Sequence, residues 1–415
     1  MTRQTLLPDR IFDSIGGKML EGHVVVIADD RIEAVVPGST TQDAIRLPGT
    51  TVIPGLIDVH THLIGLVDEG QAYSHLVMRS GAQEALIGVK HAAATLRSGF
   101  TTVRDIGTFR AFADVALKEA IEGGWIEGPR MMVAGAYVTC PGGGGDITGL
   151  AVDVDAVLPR DLRFGVTSGV DEMRANVRQI LRYRADFIKV LATGAVLTSG
   201  TDPGAPEFTE DELRAAVETA ASGGTHVAAH AHGAEGIKRA VRAGVRSIEH
   251  GSLIDEEGIE LMVQHGTYLV ADLYDGDHIQ QVGPSLGYSE EVLAKTEMTT
   301  QAQRDGFRAA VAAGVRIAFG TDSGVYPHGD NARQFQLYVD HGLSPANALR
   351  SATRWAAELM GWEDRVGSLT EGTYADLLVV AGDPTQDIAT LLQPRGVMKG
   401  GVWVIDPELE PHQTS

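Results

Sequence analysis

Eight short apolar segments alternate with helical segments between residues 51 and 320, and this alternation restricts the possible folds more than any other feature. The clearest helical segment begins at a capping box, Thr209-Glu-Asp-Glu212, and stops at Gly223-Gly224. Strands that alternate with helices pair in parallel through right-handed crossovers, and eight such units predict a closed (β/α)₈ TIM barrel of the α/β class. The predicted strands are residues 51–58, 100–105, 130–134, 187–191, 225–230, 246–250, 267–271 and 316–320.

Both ends of the chain have a different character, because strand-like segments follow one another there without helices. Segments 23–28 and 375–381 are rich in valine, leucine and isoleucine and are bounded by turn residues. We therefore predict a small composite β-sandwich domain built from residues 1–53 and 365–415. Residues 54–364 are predicted to form the barrel.

The composition excludes several classes of partner. The 415 residues include 34 Lys and Arg against 55 Asp and Glu, so the formal net charge is −21, which argues against nucleic acid or an anionic membrane. No apolar run approaches the length of a transmembrane helix, and the first residues lack the apolar core of a signal peptide. The single cysteine, Cys140, excludes an intrachain disulfide, and we expect a cytoplasmic protein.

Two histidines end the first predicted strand. His60 and His62 are two residues apart, and side chains at this spacing point to the same face of a strand. Their imidazoles can therefore converge on a divalent metal such as zinc, with Asp58 on the same face to orient them. A His-x-His pair is common, however, and alone it favours two ordinary polar residues at the end of a strand.

Further candidate ligands recur at the carboxyl ends of the predicted strands, where (β/α)₈ barrels have their active sites. His230 and His250 are separated by one strand–helix–strand step, which keeps both imidazoles at the same end of the barrel. This recurrence is more specific than any single motif. The candidate metal ligands are His60, His62, Lys189, His230, His250 and Asp322.

Lys189 lies within a strongly apolar strand, Phe187-Ile-Lys-Val-Leu191. Burial of an unpaired ammonium is costly and lowers its pKa, so the amine can become neutral. A neutral amine beside two metals can react with carbon dioxide, and the resulting carbamate can bridge both metals. The alternative is a lysine that forms an ion pair with a carboxylate such as Asp322.

Several motifs together resemble the amidohydrolase superfamily, and more narrowly its binuclear Xaa-Pro dipeptidase (prolidase-like) and arginine carboxypeptidase branch. The resemblance extends over nearly the whole chain. The motifs are Gly55-Leu-Ile-Asp-Val-His-Thr-His62, Phe187-Ile-Lys189, Val227-Ala-Ala-His230, Ile248-Glu-His250-Gly, Gly320-Thr-Asp322-Ser, His328-Gly-Asp-Asn-Ala-Arg-Gln-Phe335 and Ala375-Asp-Leu-Leu-Val.

The resemblance implies that all six candidates bind two divalent ions, expected to be zinc, with Lys189 N-carboxylated as the bridging ligand. It also implies the domain assembled from both chain ends. The chain departs from the branch in the Gly-rich insert, residues 137–170, which is expected to sit over the mouth of the barrel. Members of the branch often have a histidine there, where this chain has Gly142 to Gly145, and this places dipeptide specificity in doubt.

The expected reaction is hydrolysis of a C–N amide bond in a dipeptide or an N-acyl amino acid, a small-molecule substrate. Two cations make hydroxide available near neutral pH, and Asp322 is placed to take its proton as general base and return it to the leaving amine. His232, His278 and His328 are candidate substrate-binding residues, although each is equally compatible with a solvated loop histidine.

Other functions remain open at the level of sequence. The same metal pair can serve a lactonase, an esterase or a hydrolase of xenobiotic amides. Deamination at a mononuclear site would leave Lys189 unexplained, and a non-catalytic scaffold would be expected to have lost ligands. The oligomeric state, including a homo-oligomer, is also left open.

Overall fold

The structure is a computed structural model that describes residues 2–38, 44–65 and 73–408. Its strands, numbered along the chain, are β1 (Arg3–Asp13), β2 (Lys18–Glu21), β3 (His23–Ala28), β4 (Arg31–Pro37), β5 (Ile45–Pro54), β6 (Leu56–Thr61), β7 (Phe100–Asp105), β8 (Arg130–Val133), β9 (Tyr137–Val138), β10 (Ile188–Leu191), β11 (Val227–Gly233), β12 (Ser247–Leu253), β13 (Tyr268–Val270), β14 (Arg316–Ile317), β15 (Leu377–Ala381), β16 (Gly396–Lys399) and β17 (Val402–Ile405).

The helices follow the alternation that the sequence predicts. The capping box at Thr209 is formed, because its hydroxyl accepts from the amide of Glu212 and the Glu212 carboxylate accepts from the amide of Thr209. The α-helices are α1 (Ser74–Met78), α2 (Gly81–Arg97), α3 (Ala113–Glu122), α4 (Val152–Asp155), α5 (Val170–Arg182), α6 (Glu210–Ser222), α7 (Ala234–Ala243), α8 (Glu256–His265), α9 (Asp275–Leu286), α10 (Glu290–Ala313), α11 (Gln334–Asp340), α12 (Pro345–Ser351) and α13 (Arg354–Met360). Among the described residues, none of them is long and apolar enough to cross a membrane.

Strands β6 to β14 all pair in parallel, in two sheets with the orders β6-β7-β8 and β9 to β14. The third predicted strand, residues 130–134, corresponds to β8, and the short strand β9 follows it inside the insert predicted to be irregular. Gly135, which has a φ of +76°, interrupts the extended chain between them. At the other junction, the amide of Val59 donates to the carbonyl of Phe319 (2.9 Å). The α/β class is confirmed, and this contact between the two sheets agrees with the predicted closed barrel.

The strand predicted over residues 51–58 is in fact two strands, β5 and β6, separated at Gly55. A side chain there would collide with Thr101, because a Cβ on Gly55 would lie 2.1 Å from its hydroxyl oxygen. Strand β5 leaves the region of parallel strands and joins the sheet of the chain ends, whereas β6 continues to the two histidines. The continuous apolar run predicts a single strand here, although the predicted domain boundary between residues 53 and 54 lies close to the observed division.

Strands from both chain ends form a single sheet in the order β17-β16-β15-β5-β1-β3-β4, with β2 paired to β1. The sheet curls around an apolar core that includes Leu6, Val25, Val52 and Leu377. Strand β4 reaches the residues before β15, where the amide of Ile32 donates to the carbonyl of Thr373 (2.9 Å). The predicted sandwich is therefore one curled sheet and not two separate sheets; the predicted domain boundaries stay predictions.

Arg130, at the start of β8, connects the curled sheet to the parallel strands. Its guanidinium donates two hydrogen bonds to the carboxylate of Asp376 (2.7 and 3.1 Å). It also lies 3.4 Å from the centroid of the Tyr374 ring, where Arg31 makes a second cation–π contact at 3.6 Å. These contacts hold the curled sheet against the end of the parallel strands opposite to the candidate ligands.

Candidate metal centre and active site

A cavity of about 410 Å³ opens at the carboxyl ends of the parallel strands. All six candidate ligands line it, although they come from five separate segments of the chain. The apolar part of the wall comes mainly from the loops and helices that follow the strands. The candidate ligands at the cavity floor are His60, His62, Lys189, His230, His250 and Asp322.

The first group of metal-donor atoms comes from β6 and the segment after β14. The Nε2 atoms of His60 and His62 lie 3.4 and 3.1 Å from Oδ1 of Asp322. One ligand atom from each of these three residues falls within 4.8 Å of the others. The two histidines therefore share a face of the strand, as their spacing predicts.

A second group lies beside the first and consists of His230, His232 and His250, whose donor atoms also lie within 4.8 Å of one another. The ring centroids of His60 and His250 are 4.9 Å apart, so the two groups are in contact. Burial, followed by the nearby His250, lowers the pKa of His232 to about 3. Its imidazole is therefore neutral near pH 7.

Two buried polar atoms test whether these residues fit a metal. Nε2 of His60 and Oδ1 of Asp322 make no well-oriented hydrogen bond with any residue that the structure describes. Buried polar atoms without partners are costly and rare in folded proteins. A divalent cation would satisfy both, and imidazole nitrogen with carboxylate oxygen is a donor set that zinc accepts. The residues present therefore fit a divalent metal.

The other ring nitrogens of these histidines are held by residues at the ends of neighbouring strands. Nδ1 of His60 contacts Glu249 (2.9 Å), and Nδ1 of His250 contacts Asp272 (2.7 Å). Nδ1 of His62 lies 2.9 Å from the carbonyl oxygen of Gly107. Such contacts fix the ring orientation and the tautomer, and leave Nε2 facing the cavity.

His230 differs from the other three histidines in the nitrogen that it presents. Its Nε2 lies 3.2 Å from the carbonyl oxygen of Gly194, which leaves Nδ1 for the cavity. Burial, followed by the proximity of His250, lowers the pKa of His230 well below its ordinary value. The ring is therefore neutral and available as a ligand.

Glu249 belongs to a buried network beneath His60. Arg104 donates to its carboxylate at 2.7 Å, and the Ser247 hydroxyl donates at 2.5 Å. Burial alone would raise the pKa of Glu249, but Arg104 and His60 together hold it well below the ordinary value. The carboxylate is therefore charged and can strengthen His60 as a ligand.

Two of the candidate ligands have a left-handed backbone, with φ values of +67° for His250 and +56° for Asp322. This conformation is uncommon for residues other than glycine. Strain of this kind persists where the surrounding structure over-determines it, and it clusters at functional sites. It is consistent with a functional reason for the orientation of both side chains.

Lys189 is buried, and burial lowers its pKa to about 8 despite the nearby carboxylates of Glu249 and Asp322. Within the described parts of the chain, no carboxylate oxygen lies within 4.0 Å of its amine. The ion pair with Asp322 that the sequence left open is therefore not formed. A substantial fraction of the amine is neutral near pH 8.

The three predicted substrate-binding histidines have different positions. His232 lines the cavity, with Nδ1 held 2.7 Å from the hydroxyl of Ser252. His278 does not line it and lies beside Tyr326, and His328 stacks on His91 with ring centroids 4.4 Å apart. Neither His278 nor His328 is among the described residues that line the cavity, and their substrate-binding role stays a prediction.

Asp58 also has a role different from the predicted one. Its carboxylate accepts hydrogen bonds from the backbone amide of His60 (3.1 Å), the hydroxyl of Thr321 (2.6 Å) and the side-chain amide of Asn331 (2.8 Å). It makes no hydrogen bond with either imidazole ring. Asp58 therefore joins the first and last parallel strands and places the histidine backbone, not the rings.

The Gly-rich insert contributes Gly144, Gly145 and Thr148 to the cavity wall, as its predicted position over the mouth requires. The amide of Gly144 donates to the carboxylate of Glu207 (2.8 Å), and its carbonyl accepts from the hydroxyl of Thr198 (2.6 Å). The insert is thus fixed to the loop that follows β10.

Sequence reasoning missed two residues of this site, Asp272 and Tyr137. Asp272 lies two residues after the end of β13, so the rule that identified the other residues at strand ends would also have found it. Tyr137 begins the short strand β9 beside His62, and no pattern marked it.

Comparison with known proteins agrees with this geometry. Residues 51–404 match the model of the amidohydrolase family. An ochratoxinase of Aspergillus niger is 32% identical, and the match covers 95% of this chain and 85% of that protein. A crystal structure of a Xaa-Pro dipeptidase with bound methionine superposes with a TM-score of 0.90 at 36% identity, covering 98% of this chain and 100% of that one.

A second structure, a prolidase complexed with N-methylphosphonate-L-proline, has a TM-score of 0.89 at 32% identity and covers 97% and 100% of the two chains. The resemblance to the prolidase-like branch that the sequence motifs indicated is confirmed. The chain belongs to the amidohydrolase family of hydrolytic enzymes.

Proposed function

We propose that this enzyme hydrolyses the C–N amide bond of dipeptides or N-acyl amino acids at a binuclear metal site in a (β/α)₈ barrel. The observation that carries the proposal is the contact between two metal-donor groups on the floor of one cavity, where His60 Nε2 and Asp322 Oδ1 make no well-oriented hydrogen bond with any described residue. The similarity to a dipeptidase, a prolidase and an ochratoxinase supports amide substrates. We keep the cytoplasm as the expected location.

Six residues would hold the two ions, which we expect to be zinc. His60, His62 and Asp322 form one position, and His230 and His250 form the other. Lys189 would serve both as a carbamate, formed when its neutral amine attacks carbon dioxide and loses a proton to solvent. Bound divalent ions of this kind lower the pKa of water and polarise a substrate carbonyl.

The proton transfers are assigned to Asp322. Burial alone would raise the pKa of this carboxyl, but His60 and His62 hold it well below the ordinary value, so it is ionised. It can accept a proton from attacking water and deliver it to the leaving amine, which leaves poorly unless protonated. His232 lines the same cavity, and its Nε2 is available to the substrate carbonyl because Ser252 holds Nδ1.

A substrate library tests the proposal directly. The purified enzyme is screened against dipeptides, N-acyl amino acids and a matched set of lactones and esters, and released amine or acid is measured. Hydrolysis of the amides is expected, with activity lost on chelation and restored by zinc, cobalt or manganese. Full activity in a sample verified to be metal-free would contradict the metal site. Hydrolysis of lactones alone would contradict the amide substrate.

A further inference from the structure

Tyr137 stands beside the candidate metal ligands in a fixed orientation. It is the first residue of β9, pairs with Lys189 of β10, and lines the cavity. Its ring makes edge-on contacts with the rings of Phe109 and His62, at centroid distances of 5.1 and 5.9 Å. Aromatic contacts of this kind hold the ring, and therefore the hydroxyl, in one place.

The hydrogen bonds around His62 determine where the Tyr137 proton can go. The Tyr137 hydroxyl oxygen lies 3.1 Å from Nδ1 of His62, and the carbonyl oxygen of Gly107 lies 2.9 Å from the same nitrogen. A carbonyl can only accept, so Nδ1 must carry the proton of this ring. A protonated ring nitrogen cannot accept a second proton, and the Tyr137 hydroxyl therefore cannot donate to His62.

Among the residues that the structure describes, no other acceptor lies within hydrogen-bonding distance of this hydroxyl. A tyrosine hydroxyl close to buried groups normally donates its proton. The space into which the hydroxyl can donate its proton is the cavity that Tyr137 lines, next to His62.

We infer that the Tyr137 hydroxyl donates a hydrogen bond to an oxygen atom of the bound substrate, beside His62. The inference rests on the proposed function, since it assigns a contact to a substrate of that site. Two substrate oxygens have the required chemistry, the carbonyl of the scissile bond and a carboxylate on the amine side. Each is an acceptor, and an oxygen that is charged, or becomes charged during the reaction, accepts more strongly.

Tyr137→Phe removes the hydroxyl and keeps the ring that packs on Phe109. We expect kcat/KM on the best substrate to fall about tenfold or more, the usual scale for loss of a hydrogen bond to a charged group. Metal content and the melting temperature should stay at the wild-type values. A fall in kcat alone identifies the scissile carbonyl as the acceptor. A rise in KM that disappears when the substrate carboxylate is amidated identifies the carboxylate.

Tyr338→Phe is the matched control, because the hydroxyl of Tyr338 donates to the carbonyl of Ala271 (2.7 Å) outside the cavity. This variant should lose melting temperature and keep its kinetic constants, the opposite of Tyr137→Phe. Wild-type kinetics for Tyr137→Phe would overturn the inference. So would a parallel loss of metal and activity, which would show that the hydroxyl supports His62 and not the substrate.

The comparison uses whichever carbonyl substrate the wild-type enzyme hydrolyses. A preference of the wild type for lactones over amides would contradict the proposed function. The ratio of kcat/KM for Tyr137→Phe to kcat/KM for the wild type, measured on that same substrate, still tests Tyr137, because an ester also presents an acceptor oxygen. The two failures are therefore read from different measurements.

Discussion

Removal of the Arg104 guanidinium should destabilise the enzyme strongly, because this group is fully buried with the charge that it neutralises. Arg104 and Glu249 are each 0% exposed. The guanidinium donates to the carbonyl of Val59 (2.7 Å), the hydroxyl of Ser247 (3.1 Å) and the carboxylate of Glu249 (2.7 Å). Arg104→Met keeps most of the side-chain volume and removes all three hydrogen bonds.

The size of the effect follows from the buried Glu249 carboxylate, which remains after the substitution without its partner. Loss of one partner of a buried ion pair leaves an uncompensated charge and costs about 3–5 kcal/mol. That is a large fraction of the roughly 5–15 kcal/mol that stabilises a typical native protein. With Arg104 absent, burial should raise the pKa of Glu249, and the carboxylate should orient His60 less well.

Urea unfolding of chelated protein measures this cost without a contribution from bound metal. Arg104→Met should lose about 3–5 kcal/mol, and the double variant Arg104→Met/Glu249→Gln should lose much less than the sum of the two single changes. Arg3→Met is the matched control, because Arg3 also donates two hydrogen bonds to a carboxylate, that of Glu33, but on the surface; it should cost at most about 1 kcal/mol. A loss below about 1 kcal/mol for Arg104→Met, or additive single changes, would refute the reasoning.

Three further predictions concern the cavity and the loop that holds the Gly-rich insert beside it. Asp322→Asn should lower turnover by roughly 10²-fold or more while metal content falls less, and near-wild-type turnover would remove Asp322 as the base. Lys189→Ala should lose metal and activity, with partial rescue by acetate or propionate, whereas Lys189→Arg should be equally damaging because arginine stays protonated; a bare lysine amine in a native mass spectrum of active, metal-loaded enzyme would overturn the carbamate. Burial raises the pKa of Glu207 from 4.5 to about 7, so the folded state binds this proton more tightly, and stability should fall as the pH rises through that interval. Glu207→Gln should flatten this slope in urea titrations, and an unchanged slope would contradict the assignment.

The convergence of the candidate ligands was predictable because two simple rules determine it. A spacing of two residues places His60 and His62 on one face of a strand, and parallel pairing brings the carboxyl ends of all the strands to one side. These rules depend only on local periodicity and strand direction, which the sequence contains. They hold for His230 and His250 as well, and the cavity that all four histidines line is the result.

Side chains on loops were less predictable, because packing between distant segments sets their direction. His328 turns from the cavity to stack on His91 of α2, which lies far away in the sequence. The single curled sheet has a similar cause, since strand alternation buries one face in either a sandwich or a curled sheet. Long-range backbone hydrogen bonds, such as those from Ile32 to Thr373 and from Gly372 to Ile32, distinguish the two arrangements.

The partners of the histidines divide the four rings in a regular way. His60 and His250 are held by carboxylates, those of Glu249 and Asp272, whereas His62 and His230 are held by backbone carbonyls. A carboxylate partner makes an imidazole a stronger ligand than a carbonyl partner does. Each proposed metal position therefore contains one strengthened histidine and one ordinary histidine. Loss of either carboxylate should weaken metal binding at the position to which its histidine belongs. The two proposed metal positions can therefore be tested separately.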